Sequence, residues 1–182
     1  MAEQIRPGEK VVGVAHMNNN SPSLVGPSEF RKTLGKFASG ITIITVRVDG
    51  NTRGMTASSF CSVSLDPPLV AVSVNRRAAM HGLLQQSRVF GVSILARDQQ
   101  ALSDHFAGRS QAGIGPCFVD VGGIPLIGGA LAHICCTVDG QLDTGDHTMY
   151  IGRVDYLNFR EDDEPLIFYG GKYRSLANPN QE

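Results

Sequence analysis

One segment rich in small side chains and hydroxyls limits how this chain can fold. It runs from Arg53 to Val70, reads RGMTASSFCSVSLDPPLV, and ends at a Pro-Pro turn. Its residues predict an extended strand over 53–65, followed after the turn by a second strand over 69–75. Small side chains on a strand leave space for a large flat group to lie against the backbone.

A flavin ring is one flat group that suits such a surface. The hydroxyls and backbone N–H groups of the segment are hydrogen-bond donors, and the pyrimidine edge of a flavin carries several carbonyl and nitrogen acceptors. The alternative is a Ser/Thr-rich edge strand that binds nothing. The segment taken alone is compatible with both.

Length and charge exclude several classes of protein. The chain has 182 residues, of which 42% are apolar, enough for the core of a single domain. Its net charge of −1 leaves no basic surplus for a nucleic-acid partner. No apolar run approaches the roughly 18 residues that span a bilayer, and no secretory signal pattern begins the chain. We therefore expect a soluble cytoplasmic protein without a membrane partner.

The cysteines do not predict a metal centre. The four are Cys61, Cys117, Cys135 and Cys136, with no C-x-x-C pair among them and no histidine at zinc-ligand spacing. Buried free thiols in a reducing compartment are the expected state.

The chain is expected to begin with an arm and continue as one folded domain. Residues 1–26 show no periodicity and are predicted to be poorly ordered, whereas 27–182 are predicted to form the domain. The domain starts with a predicted helix that has Ser28 as its N-cap. The apolar face of this helix consists of Phe30, Leu34 and Phe37. The helix is predicted to end at Gly40.

The remaining pattern is mainly β. Further helices are predicted over 77–86 and 97–107, an irregular glycine-rich segment over 108–129, and further strands over 41–48, 89–95, 131–138, 147–157 and 165–169. No regular βαβ alternation appears, so we predict an α+β fold with an antiparallel, closed or partly closed barrel and helices outside it. The fingerprints of a Rossmann site, a P-loop and a hydrolase nucleophile elbow are absent.

Three short motifs are candidate ligand sites. SVNRR at 73–77 joins a strand to a helix start and suits a phosphate, or else it is a pair of solvated arginines. FASGIT at 37–42 sets hydroxyls beside a glycine, or else it is a helix C-cap and a strand start. GDHT at 145–148 places a histidine after a carboxylate, where it can orient a ligand, or else it is a turn without a further role.

Taken in order, these motifs resemble the small flavin reductases that serve two-component flavin-dependent monooxygenases, such as the phenol and hydroxyphenylacetate hydroxylase systems and styrene epoxidases. The resemblance runs from Phe30 to about Leu176. The motifs that carry it are FRKTLGKFASGIT at 30–42, GMTASSF at 54–60, SVSLDPP at 62–68, FAG at 106–108, GDHT at 145–148, PLIFY at 165–169 and GKY at 171–173.

The resemblance implies a split β-barrel of about six to seven antiparallel strands with flanking helices, in a homodimer that binds flavin near the subunit interface. It implies hydride transfer from NADH or NADPH to FMN or FAD, and delivery of reduced flavin to a monooxygenase partner. Two other functions remain open: a flavin-storing or flavin-sensing module without turnover, and an enzyme like pyridoxamine-phosphate oxidase. The second needs a denser basic cluster than Arg76 and Arg77 provide.

The resemblance also assigns roles to residues. The residues expected to hold the flavin ring and ribityl chain are Met55, Thr56, Ala57, Ser58, Ser59, Phe60 and Ser62, supported by Ser39, Gly40 and Thr42. Asn75 and Arg76 are expected at the phosphate. The residues expected on the catalytic, nicotinamide side are Asp146 and His147, with Phe106 and Tyr173 as packing partners. Hydride transfer needs no protein nucleophile, so His147 is predicted to position the substrate rather than transfer a proton.

Overall fold

A computed structural model of the chain describes residues 25–109, 115–161 and 163–176. The chain divides into two compact units, Met1–Leu34 and Gly35–Glu182. The predicted arm falls almost entirely outside the described residues. Its boundary with the folded domain therefore stays a prediction.

The described part of the first unit is one helix, α1, Pro27–Leu34. The predicted N-cap at Ser28 is wrong, because Pro27 already occupies the first helical position, for which the fixed φ of proline is suited. The Glu29 side chain accepts a hydrogen bond from the Gly26 N–H at 3.4 Å and so satisfies a donor at the helix start.

The predicted helix end at Gly40 is also wrong. The helix ends at Leu34, and the next residue is Gly35, which is a poor helix former. Phe37 lies outside the helix and is 77% exposed. Gly40 belongs to a short strand.

The second unit contains twelve strands and two α-helices among the described residues. The strands are β1 Ser39–Gly40, β2 Thr42–Val48, β3 Asn51–Ala57, β4 Phe60–Leu65, β5 Pro68–Asn75, β6 Val89–Ile94, β7 Phe118–Val121, β8 Ile124–Ile127, β9 Ala132–Thr144, β10 His147–Phe159, β11 Ile167–Tyr169 and β12 Lys172–Arg174. The helices are α2 Ala79–Ser87 and α3 Gln100–Phe106, the latter following a 3-10 turn at Arg97–Gln99. Neither helix starts where it was predicted. α3 falls within its predicted segment 97–107, whereas α2 ends at Ser87, one residue beyond the predicted 77–86.

The strands form an antiparallel sheet in the order β3-β2-β6-β9-β10-β5-β4, a small sheet β1-β11-β12, and a hairpin β7-β8. In the seven-stranded sheet, β3 and β4 are the two end strands, yet only Ser58 and Ser59 join them in the chain. Laid flat, the end strands would be about 29 Å apart. The short link spans at most about 11 Å. The sheet must therefore curl until its ends meet, which confirms the predicted split barrel.

We call the meeting place of β3 and β4, with the Ser58–Ser59 link, the seam. The prediction of one strand over 53–65 is wrong, because the chain leaves one end of the sheet and enters the other at this link. β3 pairs with β2, whereas β4 pairs with β5.

Two further hairpins were missed. The segment predicted to be irregular contains β7 and β8, joined by Gly122-Gly123, and β12 follows β11 after Gly170-Gly171. The four glycines have φ of 60°, 87°, 60° and 77°. Positive φ at both central residues defines a type I′ hairpin turn, which Gly-Gly adopts readily.

Two apolar clusters fill the unit. The barrel core contains Phe90 and Tyr150 and is covered by Met80 and Leu84 of α2. The second cluster includes Ile43, Leu95, Ile127 and Leu166. Among the described helices, none is long and apolar enough to cross a bilayer.

The cysteines are free, but only two are buried. Cys135 and Cys136 are buried as predicted, whereas Cys61 and Cys117 are exposed, which corrects the prediction for those two. Burial raises the pKa of Cys136 to about 12. Its side chain is therefore an inert thiol within the core.

Candidate functional site

Four predicted site residues meet where β5 ends and β10 begins. Asn75 and His147 are partners in the strand register. The Asn75 amide donates a hydrogen bond to Oδ2 of Asp146 at 3.2 Å, and Nδ1 of His147 lies 2.8 Å from Oδ1 of the same carboxylate. Arg76 follows Asn75, and its backbone N–H donates to the Asp146 carbonyl at 3.0 Å. We call these four residues the corner cluster.

The charges of the corner cluster interact with one another. The hydrogen bond from His147 lowers the pKa of Asp146, and the nearby Arg76 charge lowers it further. The Arg76 guanidinium donates to the Gly145 carbonyl and lies 4.0 Å from the Asp143 carboxylate. Sequence reasoning missed Asp143, because nothing in its local pattern distinguishes it from any acidic residue near a turn.

The seam carries the predicted flavin-binding residues. Met55, Thr56 and Ala57 end β3, while Phe60 and Ser62 lie in β4. Because both strands are terminal, each has an edge that pairs with no other strand in the described part of the chain. Backbone N–H and C=O groups are therefore available along the seam.

The link across the seam is exposed and tied to the neighbouring strand. Ser58 and Ser59 are both exposed. The Ser59 hydroxyl donates to the carbonyl of Ser73, two residues before Asn75 in β5, at 2.9 Å. This bond places the seam beside the strand that leads into the corner cluster.

Several predicted flavin-binding residues turn their side chains inward. The Thr42 hydroxyl donates to the Ala57 carbonyl at 2.9 Å, and both residues are buried. Met55 and Phe60 pack against the barrel core. At these four positions a ligand would meet mainly backbone, so the side chains shape the seam from beneath.

A third group of predicted residues gathers around α3. The Thr56 hydroxyl donates to the Ser103 carbonyl at 2.6 Å, and the buried Ser103 hydroxyl lies 2.8 Å from the Tyr173 hydroxyl. Tyr173 also donates to Asp104 at 3.2 Å. The Arg109 guanidinium, hydrogen-bonded to Asp104 at 2.7 Å, holds the pKa of that carboxyl below its usual value, and the Tyr173 bond contributes.

Phe106 and Ser39 lie near this group. The Phe106 ring covers Gly54 so closely that a Cβ added there would be 2.5 Å from it. Ser39 pairs with Phe168, which pairs in turn with Tyr173, so these three residues share one row of the small sheet. Gly40 is the adjacent, exposed residue of that strand.

Tyr173 also borders a pocket of about 360 Å³ that was not predicted. Its lining is Arg97, Gln100, Leu166, Tyr173, Arg174 and Ser175. Two arginines in one pocket suit an anionic ligand. No group of three or more His, Cys, Asp or Glu side chains in the described residues could hold a metal ion.

This arrangement can be compared with known proteins. Residues 34–177 match the flavin reductase like domain family, which is well over half of the chain. The chain belongs to this family. The resemblance carried by the ordered motifs is therefore confirmed, and with it the predicted enzyme class.

Individual relatives agree with this membership. An NADH-dependent flavin reductase of a Rhodococcus species is 47% identical over 84% of this chain and 88% of its own. The reductase component of a Thermus thermophilus 4-hydroxyphenylacetate 3-monooxygenase is 38% identical over 83% of this chain and 97% of its own. The solved structure of flavin reductase PheA2 has a TM-score of 0.82 and 43% identity, covering 85% of this chain and all (100%) of that one.

Proposed function

We propose that this flavin reductase oxidises NADH or NADPH with FMN or FAD bound at the seam and delivers reduced flavin to a partner flavin-dependent monooxygenase. The observation that carries the proposal is the seam itself, where two terminal strand edges and the exposed Ser58–Ser59 link lie beside the strand that leads into the corner cluster. The relatives named above include an NADH-dependent enzyme and a monooxygenase reductase component, which supports the donor and the partner.

The residues present fit a flavin. The exposed link at Ser58 and Ser59 leaves open space, and the adjoining strand edges offer backbone donors for the acceptors of the flavin pyrimidine edge. Arg76 and Asn75 offer a guanidinium and an amide for a phosphate.

The bound flavin supplies the hydride acceptor. The protein supplies placement and charge stabilisation, since no nucleophile or proton-transfer group is required. Backbone N–H groups at the seam would hold the flavin and would favour negative charge at its pyrimidine edge. His147, oriented by Asp146, positions the nicotinamide, and Phe106 and Tyr173 pack against it and exclude water.

A group of exposed apolar side chains, at the opposite end of β5 and β10 from the corner cluster, supports a homodimer. Val63 and Leu65 of β4 are 51% and 96% exposed, and Leu157 and Phe159 of β10 are 61% and 62% exposed. Leu65 pairs with Pro68 at the start of β5. In β10, Arg153 pairs with Leu69 near the same point, and Leu157 and Phe159 follow it. These side chains therefore lie at one end of the barrel. Exposed apolar side chains grouped in this way are typical of an interface. Sedimentation velocity should give twice the chain mass.

Steady-state assays test the proposal. The purified chain should oxidise NADH or NADPH only when FMN, FAD or riboflavin is added, with oxygen accepting the electrons. Flavin binding without nicotinamide oxidation would favour the storage or sensing function instead. An absence of both would refute the proposed site.

Arg76→Ala should weaken FMN binding about tenfold and riboflavin binding very little. A charged hydrogen bond contributes about 1.5–3 kcal/mol. We expect the lower end of that range, because the Arg76 side chain is 47% exposed. Fluorescence titration measures both affinities. Arg77→Ala removes a neighbouring charge and serves as the control, and equal losses for FMN and riboflavin would contradict a phosphate contact.

Ser58→Leu should weaken all three flavins about tenfold while the protein stays folded. Ser58 is exposed at the seam, so a leucine there occupies ligand space without entering the core. Ala57 is a poorer place for this test, because it is 6% exposed and part of the barrel core. Ser58→Ala keeps the space open and should bind flavin normally. Unchanged affinity in Ser58→Leu would place the ring elsewhere.

A further inference from the structure

We propose that Asp143 is a positioning residue that holds the Arg76 guanidinium and thereby keeps the affinity for phosphorylated flavins moderate. The inference rests on the proposed function, in which Arg76 meets the flavin phosphate. It adds a second carboxylate, outside the family motifs quoted above, that competes with the phosphate for the same cation.

The Asp143 carboxylate is oriented by a buried hydrogen-bond chain. Its Oδ1 accepts from the Thr148 hydroxyl at 2.7 Å, and Thr148 is completely buried at 0% exposure. Since a hydroxyl has one proton and Thr148 gives it to Asp143, Nε2 of His81, 3.1 Å away, donates to the Thr148 oxygen. The His81 carbonyl accepts in turn from the Tyr150 hydroxyl at 3.0 Å.

The second carboxylate oxygen faces Arg76. With Oδ1 held by Thr148, Oδ2 of Asp143 lies 4.0 Å from Nη1 of Arg76. The other terminal nitrogen of Arg76 donates to the Gly145 carbonyl. Asp146 also interacts electrostatically with the guanidinium. One guanidinium is therefore surrounded by two carboxylates and a carbonyl of the same turn.

This arrangement weakens phosphate binding through Arg76. A phosphate must share or replace the contacts that Arg76 already makes with Asp143 and Gly145. The effect requires a phosphate on the flavin, so riboflavin should not respond to Asp143. A lower affinity suits a reduced flavin that must dissociate and bind to a second protein.

Asp143→Asn should tighten FMN binding about threefold, the change expected from an exposed ion pair of this kind. Riboflavin affinity should not change, and fluorescence titration of the full chain measures both. Asp139→Asn removes the same charge elsewhere on β9 and should leave the FMN affinity unchanged. An unchanged or weaker FMN affinity in Asp143→Asn, or an equal gain for riboflavin, would overturn the inference.

A double-mutant cycle tests whether Asp143 acts through Arg76. In an Arg76→Ala background, Asp143→Asn should no longer change the FMN affinity. A gain that persists there would mean simple charge repulsion and would overturn the positioning role. If Arg76→Ala weakens FMN and riboflavin equally, the phosphate assignment itself fails. If that loss is selective for FMN and Asp143→Asn is neutral, only the present inference fails.

Discussion

Gly91→Ala is expected to destabilise the protein by about 3 kcal/mol, the upper part of the range for overpacking a core. A Cβ on Gly91 would lie 2.6 Å from the Thr45 hydroxyl, 2.7 Å from a Leu126 methyl and 2.8 Å from the Pro125 carbonyl oxygen. The first two side chains are fully buried and the third contact is backbone, so nothing can move aside cheaply. The Thr45 hydroxyl also donates to that carbonyl, and the new methyl group would separate them.

Thermal unfolding measures this effect. For a chain of this size, 3 kcal/mol lowers Tm by roughly 6–12 °C. Gly140→Ala is the matched control, because a Cβ there meets no atom within 4 Å. A Gly91→Ala protein as stable as the control would show that β6 and the β7-β8 hairpin are less closely packed than the structure indicates.

Local sequence signals predicted most of the barrel strands correctly. The strand predicted over 41–48 corresponds to β2, Thr42–Val48. Asp49 and Gly50, which follow it, have the positive φ values of 50° and 74° that a hairpin turn requires. The break at Ser58-Ser59 could not be read locally, because extended residues on both sides belong to strands at opposite ends of the sheet. Strand order is a long-range property that periodicity does not encode.

In the candidate site, too, the local motifs were predicted from the sequence, whereas the contacts between them were not. The GDHT and SVNRR motifs were recognised separately, and only the register between Asn75 and His147 shows that they meet. Asp143 and Ser103 carry no motif, and their interest comes from the atoms that they contact. The side-chain direction of Thr42 and Ala57 was equally hidden, since a small or hydroxyl residue is compatible with either face of a strand.

His147→Ala is expected to lower kcat/KM for NADH about a hundredfold. The His147 side chain is 40% exposed, and its Nδ1 is engaged by Asp146. Nε2 has no hydrogen-bond partner in the described part of the chain and is free for a visiting ligand. Loss of a contact that is equal in ground and transition states raises KM alone. Loss of ring alignment slows the hydride step as well, and a small misplacement can cost a hundredfold.

Stopped-flow flavin reduction over a range of NADH concentrations separates the two contributions. His147→Gln keeps a polar group near the position of Nε2 and should recover part of the rate, which a purely structural role for the imidazole would not predict.

The corner cluster makes the flavin affinity of His147→Ala the deciding control. Asp146 accepts from His147 through one oxygen and from Asn75 through the other, so the loss of the imidazole removes one of two contacts that orient this carboxylate. If His147 serves the nicotinamide, FMN affinity should stay nearly constant, because Asn75 and the backbone bond from Arg76 still hold the turn. If instead FMN affinity falls while the NADH dependence stays normal, His147 acts on the phosphate side with Asn75 and Arg76, and the nicotinamide must be positioned from the α3 side by Phe106 and Tyr173.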